Sequence, residues 1–578
     1  MGRIRRIEDH IAGSAVGRWF RLEGSGHPRE RPGTRVFTEI RAGLTAFFAM
    51  AYAIAVVPSM VSQTGGPCTC EPTPSDPTCA DNDEYALCTN VVRRDLTTAT
   101  AAIAALSSFC MGLFANAPIS LAPGIGLVSY FAFSVVGVRG SGPVPYEIAL
   151  TSTFAEGWVF LGLTLLGLRQ WLARVLPRSI KLATGVGIGM FLTLIGLTYS
   201  EGIGLVVGGQ DTPLGLAGCR PGDLDQTSGQ CPDSTKMRNP TMWLGIVCGG
   251  FLTAVLMLYR IKGAIIIGIL FVSCISWPRG TAVTFFPGTT AGNDAFEFFR
   301  QVVRFHRIKT TLGVQEWDIS GYGGQFGLVL VTLLYVDILD CTGTLYSMAQ
   351  FAGLVDQETQ DFEGSNVAYM VDAISISIGA IFGVPPVTAY VESGAGISEG
   401  GKTGLTSITT GFCFFICVFF APVFASIPPW ATGCVLVLVG SMMVKTVMDI
   451  NWRYPGDAIP AFLTIVIMPF TYSIAYGLIA GICSYIVINT AVFIVETVSC
   501  GKFVAPGKEF KDPWTWRIPG GILPSWLERL VRSLWGSWRR KDSGGRIEEG
   551  KDADEEKREG MERYGANANS EGTARPAS

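Results

Sequence analysis

The chain has 578 residues, 48% of them hydrophobic and only 16% charged, with a formal net charge of −3. That balance excludes an ordinary soluble globule, and with no basic, aromatic-laced patch in the apolar part it also excludes a nucleic-acid partner. A membrane crossing needs about 20 mostly apolar residues, and so many segments qualify that the chain reads as an all-α polytopic membrane protein.

Residues 1–37 form a polar N-terminus carrying Arg3, Arg5, Arg6, Arg18, Arg21, Arg29, Arg31 and Arg35. It lacks the early apolar core of a cleavable signal, and its charge places it in the cytoplasm. Apolar segments follow near 39–61, 97–117, 119–138, 147–168, 179–200, 240–258 and 262–279, so that 38–279 makes a first group of seven. A long extracellular loop, 280–323, mixes aromatic and charged residues, which suggests a short amphipathic helix. A second group, 324–499, holds segments near 324–351, 365–384, 386–399, 403–426, 432–447, 456–474 and 476–498. The total is about fourteen; 119–138 and 386–399 read poorly as regular helix.

An inside start puts the loops after the first and fifth segments outside. The first holds Cys68, Cys70, Cys79 and Cys88, and the second Cys219 and Cys231. Paired loop cysteines suggest disulfides on a non-cytosolic face, with three pairings open to the first four; free thiols are the alternative. Without a histidine beside them, no metal site is expected. The loops after the fourth and sixth segments carry Arg169, Arg174, Arg178, Lys181, Arg260 and Lys262, as an inside location requires. Arg93 and Arg94 run against this pattern. From 500 to 578 the chain is a cytoplasmic tail: tryptophans and arginines suit the inner membrane interface, and the region after about 541 has a disordered composition.

The third and tenth segments share an anomaly. Residues 118–127 read Pro-Ile-Ser-Leu-Ala-Pro-Gly-Ile-Gly-Leu, and 385–396 read Pro-Pro-Val-Thr-Ala-Tyr-Val-Glu-Ser-Gly-Ala-Gly. Pro and Gly both disfavour continuous helix. Recurrence seven segments apart forces the halves into opposite orientation, the mark of an inverted repeat. Each anomaly is expected to be a short extended piece feeding a half-helix at the membrane centre. Gly124, Gly126, Gly394 and Gly396 would then let a flat ligand approach the backbone. Gly185, Gly187 and Gly189 read instead as helix-packing positions.

Three acids lie at membrane depth: Asp337 and Asp340, one turn apart at i and i+3, and Glu392, just before the second Gly-x-Gly. A charge there costs roughly 2.5–3.5 kcal/mol on insertion scales, so it marks function by default. At least one of the aspartates is expected to carry a proton through each cycle, although an aspartate that only ties helices together is the alternative. Phe47, Phe48, Tyr52, Tyr130 and Phe131 are candidates to stack on an aromatic ligand.

The run from Thr388 to Thr406, the run Tyr335-Val-Asp-Ile-Leu-Asp-Cys-Thr-Gly-Thr-Leu-Tyr346, and Leu121-Ala-Pro-Gly-Ile-Gly-Leu127 together resemble the motifs of AzgA-like purine permeases. These are hypoxanthine/adenine/guanine proton symporters of the xanthine/uracil permease (nucleobase–ascorbate transporter) superfamily. The resemblance covers about residues 33–500. It implies two inverted seven-helix repeats, arranged as a core and a gate domain, in a plasma-membrane protein with both termini cytoplasmic. It also implies that Asp337 and Glu392 bind the nucleobase, with Gly124, Gly126, Gly394, Ala395 and Gly396 around it, and that Asp340 tunes affinity. One position departs from the motif: Val128 stands where the family has an Asn, and Ser129 follows as a partial substitute.

The expected function is proton-coupled symport of adenine, guanine and hypoxanthine into the cell. No enzyme activity and no cofactor beyond the proton gradient are expected. The partners are the base, protons and the bilayer, with a homodimer left open. A carrier of uracil or xanthine on the same fold, or a purine sensor that does not transport, are the alternatives. Acids rather than arginines at the site argue against a sulfate carrier, and His10, His27 and His306, none in a span, against an intramembrane metalloenzyme.

Overall fold

In lipid every backbone N–H and C=O must find an internal partner, so apolar runs of this length can only become helices. The structure, a computed structural model, describes residues 8–69, 82–167, 177–198, 202–208, 214–220, 231–261, 263–355, 362–499 and 505–512. All of these belong to the first of two units, Met1–Ile522 and Leu523–Ser578. The interfacial stretch and tail expected after 512 lie outside the described residues, as do Cys70 and Cys79.

In chain order the elements are α1 (Val36–Ser62), α2 (Asp83–Ala115), β1 (Leu121–Pro123), α3 (Ile125–Ser129, continued by a wider turn to Val136), α4 (Tyr146–Leu166) and α5 (Arg178–Leu197). A small hairpin follows, β2 (Val206–Val207) and β3 (Gly215–Leu216), then α6 (Pro240–Leu258), α7 (Ala264–Ser276) and α8 (Thr290–Phe299). The second half comprises α9 (Gly323–Phe351), α10 (Ser365–Ile381), β4 (Val387–Ala389), α11 (Ser393–Ser398), α12 (Gly404–Ala425), α13 (Pro429–Asp449), α14 (Pro455–Phe470) and α15 (Ile474–Val498). Nine helices are long and apolar enough to cross a membrane, and four shorter apolar ones accompany them among the described residues. Most segments lie near where the hydropathy places them, but α2 begins at Asp83 rather than near 97, so Cys88, Arg93 and Arg94 are helical instead of in a loop, and several segments fall short of a full crossing.

Packing sorts the helices into two groups. In one, α1 packs on α2, α11 and α12, while α4 packs on α9 and α10. In the other, α5 packs on α13, α14 and α15, and α6 on α13. Glycines set the close contacts in the second group. A Cβ on Gly187 would lie 2.5 Å from Met468 Sδ, and one on Gly189 2.8 Å from the Gly440 carbonyl oxygen, so these two glycines of the Gly185-x-Gly187-x-Gly189 run do serve helix packing.

The two broken segments meet at the centre of the first group. β1 and β4 pair antiparallel, with Leu121 opposite Ala389, Ala122 opposite Thr388 and Pro123 opposite Val387. Gly124 N–H donates to the Pro386 carbonyl and Tyr390 N–H to the Ser120 carbonyl. Ser108, Ser393 and Ser407 hydroxyls bond the adjoining backbone at 2.8–3.0 Å. This is how non-helical backbone survives at membrane depth: each short strand satisfies the other.

Both faces are strapped. On one, the loop before α9 crosses α2, where Asp95 receives the Lys309 and Thr310 N–H groups at 2.9 and 2.6 Å and lies 2.7 Å from His306 Nε2. Arg94 pairs with Asp294 at 2.5 Å, and Arg93 bonds the Ile427 carbonyl, so these two arginines serve tertiary contacts. The disulfide Cys219–Cys231 lies in one of the loops expected on that face, while Cys68–Cys88 ties the other loop to the start of α2. On the other face, Arg21 and Arg29 both pair with Glu363, and Arg31 donates to the Asn116 and Lys402 carbonyls at 2.8 and 2.5 Å. Burial, with the neighbouring Arg21 charge, lowers the Arg31 guanidinium to about 10. Glu39, fully buried, accepts from Lys402 N, Thr403 N and Thr406 Oγ1 at 3.0, 3.1 and 2.6 Å and so caps the start of α12.

Candidate functional site

A cavity of about 520 Å³ opens between the two helix groups. Its walls are α5 (Lys181 to Ile188) and α13 with its C-terminal turn (Met443, Thr446) on one side, and α9 (Val336 to Met348) with Val391 on the other. That size suits a small-molecule site, which typically occupies roughly 300–1,000 Å³. Asp340 lines it directly. Thr388, projecting from β4, donates to Asp340 Oδ2 at 3.4 Å, and Glu392 lies within Coulombic reach of the same aspartate. Glu392 Oε1 accepts a 2.6 Å hydrogen bond from Tyr52 Oη of α1. Helix geometry explains the arrangement: α9 runs unbroken past the strand pair, so its Asp340 turn faces the end of β4.

Asp337 stands one turn behind. It is fully buried, does not line the cavity, and neither of its oxygens has a hydrogen-bond partner. Its electrostatic neighbours are Asp372 of α10, Glu156 of α4 and Asp340. Asp340 therefore borders the crevice, with Glu392 off its lining but within electrostatic reach, and Asp337 belongs to a second cluster. Glu156 and Asp372 are acids that the sequence reading did not single out. The available signal was a lone acid in an otherwise apolar run, the same signal that marked Asp337.

The glycines fall mostly on packing. A Cβ on Gly124 would lie 2.5 Å from Thr388 Cγ2, on Gly126 2.8 Å from Ile188 Cγ2, and on Gly396 2.7 Å from the Ala42 carbonyl oxygen. Gly394 is looser, 3.3 Å from Met348 Sδ. The N–H groups of Gly394 and Ala395 donate to Val391 and Glu392 within the turn that starts α11. Val128 is fully buried off the cavity lining, and Ser129 donates its hydroxyl to the Gly126 carbonyl at 2.7 Å. Among the aromatic candidates, Tyr52 is a hydrogen-bond donor to Glu392, Phe131 packs on Tyr146, and Phe48 is exposed on the outer surface. Among the described residues no group of His, Cys, Asp or Glu is arranged to hold a metal ion.

Paired broken segments inside one helix group, and a crevice bordered by a buried-helix aspartate against the other, define a membrane carrier rather than an enzyme. A model of the xanthine/uracil permeases, described as a permease family, matches residues 80–479, and the chain belongs to that family. It is 62% identical over 548 residues to an Aspergillus versicolor protein named efflux pump notK', covering 95% of each chain. It is also 31% identical over 458 residues to adenine permease AdeQ of Escherichia coli, covering 79% of this chain and 88% of that one. Guanine/hypoxanthine permease PbuO of Bacillus subtilis is 30% identical over 463 residues, with 79% and 92% covered. In fold, the chain is similar to the murine Slc26a9 anion transporter in its inward-facing state, at a TM-score of 0.51 and 13% identity, covering 82% of this chain and 71% of that one.

Proposed function

We propose that the protein is a proton-coupled purine nucleobase symporter of the plasma membrane, taking adenine, guanine or hypoxanthine. The observation that carries this reading is Asp340 on the crevice wall with Glu392 in electrostatic reach of it; among the described residues no metal-ligand group accompanies them. Carboxylates accept the N–H edge of a purine in short, charge-assisted bonds. Relatives named for adenine and for guanine and hypoxanthine support the same ligand class.

The two helix groups act as core and gate, and the crevice between them is the substrate path. Its walls include the C-terminal half of α9, the end that leads toward Glu363 and the arginine-rich N-terminal segment, the side that the charge rule makes the cytoplasm; this supports reading the cavity as inward-facing. One proton falling through 100 mV supplies about 2.3 kcal/mol, enough for roughly 40-fold accumulation of a neutral base.

The relative named an efflux pump favours a second reading, export through the same crevice. Radiolabelled adenine uptake in a purine-transport-deficient cell separates the two. Import predicts accumulation that guanine and hypoxanthine compete for and a protonophore collapses; adenine lost faster from preloaded cells than from controls, with no uptake, would favour export.

A further inference from the structure

We infer that Glu156, Asp337 and Asp372 form one shared proton-binding site behind the substrate crevice, and that Glu156 is a coupling residue. The inference deepens the symport reading and rests on it for the coupling step.

The three acids come from α4, α9 and α10, and each is fully buried. The helices meet closely: a Cβ on Gly157 would lie 2.2 Å from Ser377 Oγ and 2.7 Å from the Ala373 carbonyl oxygen. That contact brings the neighbouring residues Glu156 and Asp372 together. Asp372 in turn interacts with Asp337. None of the three helices contains Lys, Arg or His. All four carboxyl oxygens of Glu156 and Asp337 are buried without a hydrogen-bond partner. The contrast with Glu39 and Asp95, equally buried, is direct: those acids have their oxygens filled by backbone N–H and hydroxyl donors.

Buried carboxylates such as those of Glu156 and Asp337, whose oxygens have no hydrogen-bond partner, are costly in the charged form, and a neighbouring acid makes them more so, so the cluster holds protons. The residues do not form a chelating group, which suits a proton rather than a coordinated metal. Further ionisable groups on these helices are Tyr146 and Glu147 on α4, Tyr335, Asp340, Cys341 and Tyr346 on α9 and Tyr369 on α10, with Tyr130 beside α4 and Lys181 across the crevice on α5.

The cluster is connected to the substrate. Asp337 interacts with Asp340, and Asp340 with Glu392, so carboxyls run in sequence from Glu156 to the crevice. A proton taken up from one side enters this row when the base binds and leaves to the other side when the base departs; the purine itself is unchanged.

The test uses the purified full chain in liposomes, comparing wild type with Glu156→Gln and Glu156→Asp. Two readouts are taken: proton-driven adenine accumulation against adenine counterflow, and the protonated-carboxyl stretch in the infrared. Glu156→Gln is expected to keep counterflow while accumulation falls from roughly 40-fold toward unity, and to lose protonated-carboxyl intensity that Glu156→Asp retains. Wild-type accumulation in Glu156→Gln would overturn the inference, as would loss of counterflow in both variants or a difference spectrum without a protonated carboxyl. A wild type that moves no adenine yet shows the infrared change would reject purine symport and leave the proton site standing.

Discussion

Tyr52 Oη and Glu392 Oε1 are 2.6 Å apart, which ties the buried middle of α1 to the acid that precedes α11, three residues beyond β4. A hydrogen bond to a charged group contributes about 1.5–3 kcal/mol. If Glu392 holds the base, Tyr52 fixes its orientation. Tyr52→Phe is expected to raise the half-saturating adenine concentration roughly 10- to 100-fold while the protein still reaches the membrane. Saturation curves of labelled adenine uptake, set against surface expression, check this; an unchanged curve would remove Tyr52 from the site.

Gly126 marks where the two helix groups touch. A Cβ there would sit 2.8 Å from Ile188 Cγ2 on α5, and packed interfaces resist even small added volume. Gly126→Val should therefore slow turnover more than it weakens binding. Adding Ile188→Ala should restore much of the rate by making room. Equal loss in the single and double variants, measured as counterflow, would mean that the glycine matters for something other than contact with Ile188.

Glu363 receives both Arg21 and Arg29 on the surface that carries the N-terminal segment. Burial pushes its carboxyl up, but the hydrogen bonds and charges of the two arginines outweigh this and hold it below the usual range. A depressed carboxyl contributes stability that is present above its unfolded value, about 4.3, and is lost as pH falls through the folded value. Hydrogen exchange over residues 14–35 should thus be slow at neutral pH and fast below about pH 4. Glu363→Gln should make it fast at neutral pH; protection that ignores both pH and this substitution would contradict the latch.

Glu39 should behave oppositely to Glu156. Its hydrogen bonds to Lys402, Thr403 and Thr406 hold the 402–403 turn against α1, so Glu39→Ala should lower thermal stability in detergent by about 3 kcal/mol and cost expression. The residual transport should stay proton-coupled. A stable Glu39→Ala variant with uncoupled transport would mean that the two acids have been given each other's roles.

Much of this architecture is legible in the chain because lipid leaves the backbone few options. Pro123 with Gly124, and Pro386 ahead of Glu392, announce interrupted helices, and they pair where an inverted repeat places them. Asp337, Asp340 and Glu392 stand out because charge is rare in such runs. What the chain conceals is facing. Spacing at i and i+3 puts Asp337 and Asp340 on one side of α9, yet one borders the crevice and the other points among α4 and α10, a division set by tertiary packing. Gly124, Gly126 and Gly396 look like room for a ligand in sequence, whereas in three dimensions their missing side chains are filled by Thr388, Ile188 and Ala42. Tyr52 offers no local hint of its bond to a residue 340 positions away.

The central claim is that purine and proton move together past Asp340 and Glu392. The most direct measurement is proton flux, read by an internal pH dye, when adenine is added to liposomes holding the purified protein. The account predicts internal acidification with wild type and none with Glu392→Gln. Adenine entering wild-type vesicles with no accompanying change in pH would contradict it.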